Sequence, residues 1–123
     1  MAKKAESRLQ GRIKKAQQTE GGKWWKVHGS AFQEAGQPDL DGADEGIPFK
    51  FEVKVPLEGK PSPLQIQTMA EWRDAGVIAC IVESPAQAVT LVKAAKASPD
   101  KRRRGRSLYK WICRTLRAAY GED

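Results

Sequence analysis

The sequence has few of the residues on which several common catalytic sites depend. It contains one histidine, His28, and two cysteines, Cys80 and Cys113, which lie too far apart for the paired spacing of zinc ligands. The residues therefore give little support to zinc chemistry or to a serine–histidine–aspartate triad. Cys80 lies within the apolar run 77–82, which predicts a buried, reduced thiol and a cytoplasmic compartment.

Long apolar runs are also missing. None approaches the ~20 residues that a membrane helix needs, so the sequence predicts no membrane span and no membrane partner. The N-terminal lysines are followed by no apolar segment, which argues against a signal peptide. With 123 residues, 40% of them hydrophobic and 30% charged, the chain has the length and composition of one globular domain.

Acidic residues are outnumbered. The 15 Asp and Glu stand against 22 Lys and Arg, which gives a formal net charge of +7. Such a balance favours a polyanionic partner through counterion release, although charge alone leaves DNA, RNA and an anionic membrane surface open. The densest basic run is either a solvated linker or a phosphate-binding segment, and its basic residues are Lys101, Arg102, Arg103, Arg104 and Arg106.

The spacing of apolar residues predicts an α/β fold. One mixed sheet is expected, flanked by helices, because three strands follow one another closely and the fourth is reached through a helical crossover. Residues 1–97 form the predicted core domain, and 98–123 a basic linker and an amphipathic helix packed on or extending it. We predict helices at 3–18, 62–75, 84–97 and 107–120, and strands at 23–28, 38–42, 47–55 and 77–82.

The strand at 47–55 carries the residues of greatest chemical interest. Its alternation places Glu52 and Lys54 on one face, with Cα atoms roughly 6.6 Å apart. Asp39 lies on the preceding short strand, which a turn would bring alongside. Two carboxylates at neighbouring strand positions suit a hard divalent cation such as Mg²⁺, and Lys54 would orient an attacking water.

These residues also carry a resemblance. Pro38-Asp39, followed by Glu52-Val53-Lys54, resembles the PD-(D/E)xK signature of a nuclease superfamily, with a gap of 52 − 39 = 13 residues. Three longer segments are similar to the stand-alone VRR-NUC domains often encoded by bacterial viruses, over about residues 6–97. They read VHGSAFQEAGQPDLDG, FEVKVPLEGKPSPLQ and AGVIACIVESPAQA.

The resemblance implies the core of that superfamily, namely a helix, three antiparallel strands, a helix and a strand, here followed by a C-terminal helix. It also implies a set of candidate site residues. Asp39, Glu52 and the Val53 carbonyl would hold Mg²⁺ or Mn²⁺, with Glu6 as a further ligand; Lys54 would position the water, Gln65 would support the site, and His28 would contact phosphate.

Each assignment has a structural alternative. Ser62-x-x-Gln65 is a capping-box pattern that needs no catalysis, and both readings can hold at once. Asp39 can be a turn residue, Glu52 and Lys54 a solvated strand face, Glu6 a surface charge and His28 a structural hydrogen-bonding residue. Asp41 and Asp44 are expected to be turn and surface acids, with a contribution at the metal as the alternative.

Together, the candidate site residues and the resemblance predict a metal-dependent DNA endonuclease in the cytoplasm of a bacterial or phage-infected cell. The family suggests branched DNA, including the four-way (Holliday) junction, as substrate, and two symmetric cuts would require a homodimer. The alternative is a nucleic-acid-binding module of the same fold that lacks cleavage.

Overall fold

The computed structural model describes residues 2–27, 35–98 and 110–114. Among the helices of these residues, none is long and apolar enough to cross a membrane. The short segment 110–114 is helical. The longer elements are α1 (Ala2–Glu20), β1 (Lys23–Lys26), β2 (Leu40–Asp44), β3 (Ile47–Val53), α2 (Pro63–Asp74), β4 (Ile78–Val82) and α3 (Pro85–Lys96).

The four strands form one mixed sheet in the order β1-β2-β3-β4. The pairs β1–β2 and β2–β3 are antiparallel, with Lys26 opposite Leu40 and Leu40 opposite Phe51. The pair β3–β4 is parallel, and α2 makes the connection between its strands. This topology confirms the predicted α/β fold with one mixed sheet flanked by helices.

The core lies on the sheet face that carries Phe49, Phe51 and Val53. The ring of Trp24, from β1, lies 5.6 Å from Phe49 and 5.5 Å from Phe51 between centroids. Trp25, the next residue, points the other way and is 60% exposed. Side chains from α1 and α3 complete this core. They include Leu9 and Ile13 of α1, and Ala88, Leu91, Val92 and Ala95 of α3.

Two helices begin with the same four-residue pattern. The Ser62 hydroxyl accepts a hydrogen bond from the Gln65 backbone N–H at the start of α2, and the Ser84 hydroxyl accepts one from the Gln87 N–H at the start of α3. Proline occupies the first helical position in both, where its missing N–H costs nothing. The predicted beginnings of these two helices are thereby confirmed.

The two strands next to the candidate site differ from their predicted bounds, because β3 is shorter and β2 is shifted by two residues at the same length. β2 begins at Leu40 rather than Pro38, and β3 ends at Val53 rather than Val55. For the start of β2 the physical reason is the Asp39 side chain, because its Oδ2 accepts the Val53 N–H at 2.9 Å in place of a backbone acceptor. On the other side of β3, the Lys54 N–H still donates to the Val82 carbonyl of β4. Asp39 and Lys54 therefore lie just beyond the ends of their strands.

The prediction that Asp44 is a surface acid is wrong. Asp44 is only 7% exposed, and its Oδ2 lies 2.9 Å from the Lys96 Nζ near the end of α3. A buried carboxylate is tolerated when it is paired with a cation, as it is here. Asp41 is more exposed, as expected, and its Oδ1 lies 2.8 Å from the Lys50 Nζ.

Several predicted features fall outside the described residues. His28, the whole basic run from Lys101 to Arg106 and most of the predicted helix at 107–120 are among them. Within the described part of that helix, Ile112 is 1% exposed and belongs to the hydrophobic core. At least this turn of the C-terminal region packs on the same core.

Gly42 permits the close approach of Trp24 to the sheet. A Cβ at Gly42 would lie 2.1 Å from Trp24 Cε3. Gly42→Ala should therefore lower the free energy of unfolding by about 2–3 kcal/mol through overpacking. Gly11→Ala is the control, since nothing lies within 4 Å of a Cβ at Gly11. That helical substitution should raise stability by about 0.5–1 kcal/mol. Urea denaturation measures both, and a Gly42→Ala variant as stable as the parent would contradict the packing.

Candidate metal centre

Three carboxylates from separate parts of the chain meet beyond the end of β3. Glu6, Asp39 and Glu52 each have an oxygen that lies within 4.8 Å of an oxygen of the other two. Glu6 comes from the second turn of α1, Asp39 immediately precedes β2, and Glu52 is the penultimate residue of β3. Glu52 is 1% exposed, whereas the other two are half-buried. Such a concentration of negative charge is costly unless a cation or protons neutralise it.

The two oxygens of Glu52 have different surroundings. Its Oε2 accepts hydrogen bonds from the Gln65 Nε2 at 2.6 Å and from the Lys54 Nζ at 3.1 Å. Its Oε1 is buried and has no hydrogen-bond partner among the described residues. A buried carboxylate oxygen without a partner costs free energy. An all-oxygen donor set with one such oxygen fits a hard divalent cation, which is Mg²⁺-like rather than zinc-like chemistry.

Asp39 is held by the backbone of β3. Its Oδ2 accepts the Val53 N–H at 2.9 Å. In an extended strand, the N–H and C=O of one residue point to the same side, so the Val53 carbonyl is directed toward the side of β3 on which Asp39 lies. This geometry supports the Val53 carbonyl as a candidate ligand beside Asp39.

The cluster shifts the pKa of its own members. Burial, and then the negative charge of Asp39, raise the pKa of Glu52 to about 7, against the opposing effect of Lys54. Burial also raises the pKa of Asp39, although the Val53 N–H and the Lys54 ammonium act in the other direction. The metal-free centre therefore binds protons more readily than ordinary carboxylates do, and a bound cation would compete with those protons.

A tight turn lies against the stem of Lys54, whose ammonium contacts Glu52 at the edge of the cluster. The side chain of Lys54 is 12% exposed. The N–H groups of Glu58 and Gly59 both donate to the Val55 carbonyl at 3.1 Å, and this closes the chain over the lysine. A Cβ at Gly59 would lie only 3.1 Å from Lys54 Cδ. The absence of a side chain at Gly59 thus allows the turn to pack against the lysine stem.

Gln65 makes the capping box and also contacts the carboxylate cluster. Its backbone N–H and side-chain Oε1 form the capping box with Ser62, while its Nε2 donates to Glu52. The same side chain therefore caps α2 and supports the carboxylate cluster.

Gln10 lies next to the cluster and was not among the residues predicted from the sequence. It is 8% exposed and hydrogen-bonds to Asp39, which lowers the pKa of that carboxyl group. Gln10 follows Glu6 by four residues on α1, so both lie on one helix face. That spacing was the available signal, but it becomes informative only once this face of α1 is known to pack near Asp39.

Two solved structures have a fold similar to that of this chain. No family model matches the sequence, and no curated protein matches it. A solved structure described as "VRR_NUC domain" superimposes with a TM-score of 0.60 at 28% sequence identity, over 72% of this chain and 94% of that chain. A second, described as "VRR_NUC domain protein", has a TM-score of 0.60 at 15% identity, over 72% of this chain and 85% of that chain, and supports the fold alone. With its mixed four-stranded sheet and flanking helices, the chain is a structural match to the VRR-NUC domain proteins and has a VRR-NUC-like fold.

Proposed function

We propose that the protein is a divalent-metal-dependent nuclease that hydrolyses DNA phosphodiester bonds. The observation that carries this proposal is the buried Oε1 of Glu52, which lacks a hydrogen-bond partner among the described residues and lies in a three-carboxylate cluster. The neighbouring Lys54 ammonium contacts the cluster directly through Glu52. The VRR-NUC-like fold supports the assignment to a nuclease.

Each residue of the cluster would have a separate role in catalysis. Asp39, Glu52 and the Val53 carbonyl would hold Mg²⁺ or Mn²⁺, with Glu6 as a fourth ligand or as the ligand of a second ion. The bound ion would polarise the scissile phosphate and lower the pKa of its water. Lys54 donates hydrogen bonds from its ammonium, which would orient the attacking water in line with the leaving oxygen. Gln65 and Gln10 would hold the two carboxylates in place.

The partner of this site would be DNA. The net charge of +7 favours a polyanion, and Lys101 to Arg106 together with His28 would contact its phosphates. We further propose branched DNA, including four-way junctions, as the preferred substrate, with a homodimer providing two symmetric cuts. The two free thiols, Cys80 and Cys113, suit a reducing compartment such as the cytoplasm.

The direct test is cleavage of labelled linear, flapped and four-way-junction DNA in Mg²⁺, Mn²⁺ or EDTA. Cutting should require a divalent ion, because the carboxylates alone supply no electrophile. Glu52→Gln should not cut in either metal, since it replaces a charged ligand with a neutral amide of the same shape. The preferred substrate identifies the class of nuclease.

Metal-independent cutting would contradict the proposal, as would undiminished cutting by Glu52→Gln. Tight DNA binding without cutting in either ion would instead identify a nucleic-acid-binding module. Sedimentation with and without DNA tests the homodimer, which a monomer at working concentrations in both conditions would exclude.

A further inference from the structure

The start of α2 contacts the candidate metal centre through the side-chain amide of Gln65. The Nε2 of Gln65 donates to Glu52 Oε2 at 2.6 Å, and the Oε1 of Gln65 accepts the Ser62 backbone N–H at 2.9 Å. A backbone N–H can only donate, and a carboxylate can only accept. Both hydrogen bonds therefore require the same orientation of the Gln65 amide, with its NH₂ group toward Glu52.

Ser62 holds Gln65 at a second point. The Ser62 hydroxyl accepts the Gln65 backbone N–H at 3.1 Å, and Ser62 itself is extended, with φ −73° and ψ 160°. These reciprocal hydrogen bonds fix the backbone of Gln65 and the far end of its side chain relative to one residue. These bonds restrict the rotamers of the Gln65 side chain, so its amide is held in one orientation where it contacts Glu52.

The orientation of the amide determines that of the Glu52 carboxylate. With Oε2 bound by Gln65 and Lys54, the other oxygen, Oε1, is the one left without a hydrogen-bond partner among the described residues. We propose that Ser62 is a positioning residue of the metal centre, acting through Gln65 to fix the ligand oxygen of Glu52. This inference rests on the proposed function, because it assigns Ser62 a part in the same site.

The chain contains a matched control for this role. Ser84-Pro85-Ala86-Gln87 repeats the pattern of Ser62-Pro63-Leu64-Gln65. The Ser84 hydroxyl accepts the Gln87 N–H at 3.0 Å, but the Gln87 Oε1 accepts the Glu83 N–H at 2.6 Å. The two serines thus cap their helices alike, and only the first is connected to Glu52.

Ser62→Ala and Ser84→Ala separate capping from positioning. Each should lower the midpoint of thermal unfolding without metal by about 3–6 °C, because each removes a helix cap. Only Ser62→Ala should weaken Mn²⁺ binding, by about 10-fold in a calorimetric titration, and lower kcat similarly with KM for DNA little changed. Ser84→Ala should stay within about 2-fold of the parent in both, since it lies outside the chain of contacts to Glu52.

Ser62→Thr tests the chemical basis of the effect. Threonine keeps a capping hydroxyl, so Mn²⁺ affinity should return to within about 3-fold of the parent. Equal weakening of Mn²⁺ binding by Ser62→Ala and Ser84→Ala would overturn the inference. Full Mn²⁺ affinity in Ser62→Ala would overturn it too.

A readout that needs neither metal nor DNA keeps this test apart from the test of the nuclease. The side-chain NH₂ protons of Gln65 should exchange slowly with solvent in the parent and in Ser84→Ala, as followed by NMR. In Ser62→Ala they should exchange at least about 10-fold faster, because loss of the hydroxyl that accepts the Gln65 backbone N–H loosens the reciprocal capping box that holds the amide. A parent that neither binds Mn²⁺ nor cuts DNA would refute the nuclease, and unchanged Gln65 exchange in Ser62→Ala would refute the positioning role.

Discussion

Asp39→Asn should lower metal-dependent cleavage by about 10³-fold or more, while DNA binding in EDTA stays within about 2-fold of the parent. The substitution keeps an oxygen that can accept the Val53 N–H, which Asp39 binds at 2.9 Å, so the local fold is preserved. It removes one of the negative charges that would hold a divalent cation. Single-turnover cleavage and equilibrium binding to the same labelled DNA measure the two effects.

Asp41→Asn is the matched control for this loss of charge. Asp41 lies two residues further along the chain, on β2, and its Oδ1 contacts the Lys50 Nζ at 2.8 Å rather than the cluster. Its side chain is 37% exposed, so the exchange should cost little stability. Cleavage should remain within about 2-fold of the parent. An equal loss in both variants would point to a general effect of charge and contradict the assigned role of Asp39.

The stability of the metal-free protein should decrease as the pH rises from about 4.5 to about 7. Burial and Asp39 raise the pKa of Glu52 from 4.5 to about 7 in the folded protein. The folded state thus binds the Glu52 proton more tightly than the unfolded chain, and this stabilisation is complete below 4.5. It is lost as Glu52 ionises, and the loss attributable to Glu52 is about 3 kcal/mol above pH 7. Urea denaturation in EDTA at pH 5 and pH 8 measures it.

Glu52→Gln isolates this contribution, because glutamine does not titrate. The fall in stability between pH 5 and pH 8 should be smaller in the variant than in the parent, whatever the other carboxylates contribute. At pH 8, Mn²⁺ at about 100 times its dissociation constant should stabilise the parent by about 2.7 kcal/mol and the variant by much less. Identical pH profiles for parent and variant would contradict the environment described for Glu52.

The parts of the fold that depend on local pattern could be predicted from the sequence. Alternation along β3 and the serine–proline starts of α2 and α3 are local features, and the structure confirms these elements. Asp39 and Glu52 lie near each other because a short turn joins β2, which Asp39 immediately precedes, to β3, which contains Glu52. The proximity of Asp39 and Glu52 could therefore be predicted from their spacing and from the strand order alone.

Other features depend on how distant elements pack, and no local pattern reports that. Asp44 is buried because Lys96, 52 residues away, pairs with it across the fold. Gln10 contributes to the centre because one face of α1 lies near Asp39. The start of β2 at Leu40 rather than Pro38 accompanies the hydrogen bond that the Asp39 side chain accepts from the Val53 N–H. Each of these was missed because the relevant partner is determined by tertiary structure.

The three carboxylates are widely separated along the chain, at 39 − 6 = 33 and 52 − 39 = 13 residues. The cluster therefore forms only when α1 has docked against the β2–β3 hairpin, which is a non-local step of folding with a loop-closure cost. A nascent chain that emerges from the ribosome beside nucleic acid would carry no assembled metal centre. Hydrolytic capacity would appear together with the completed tertiary structure.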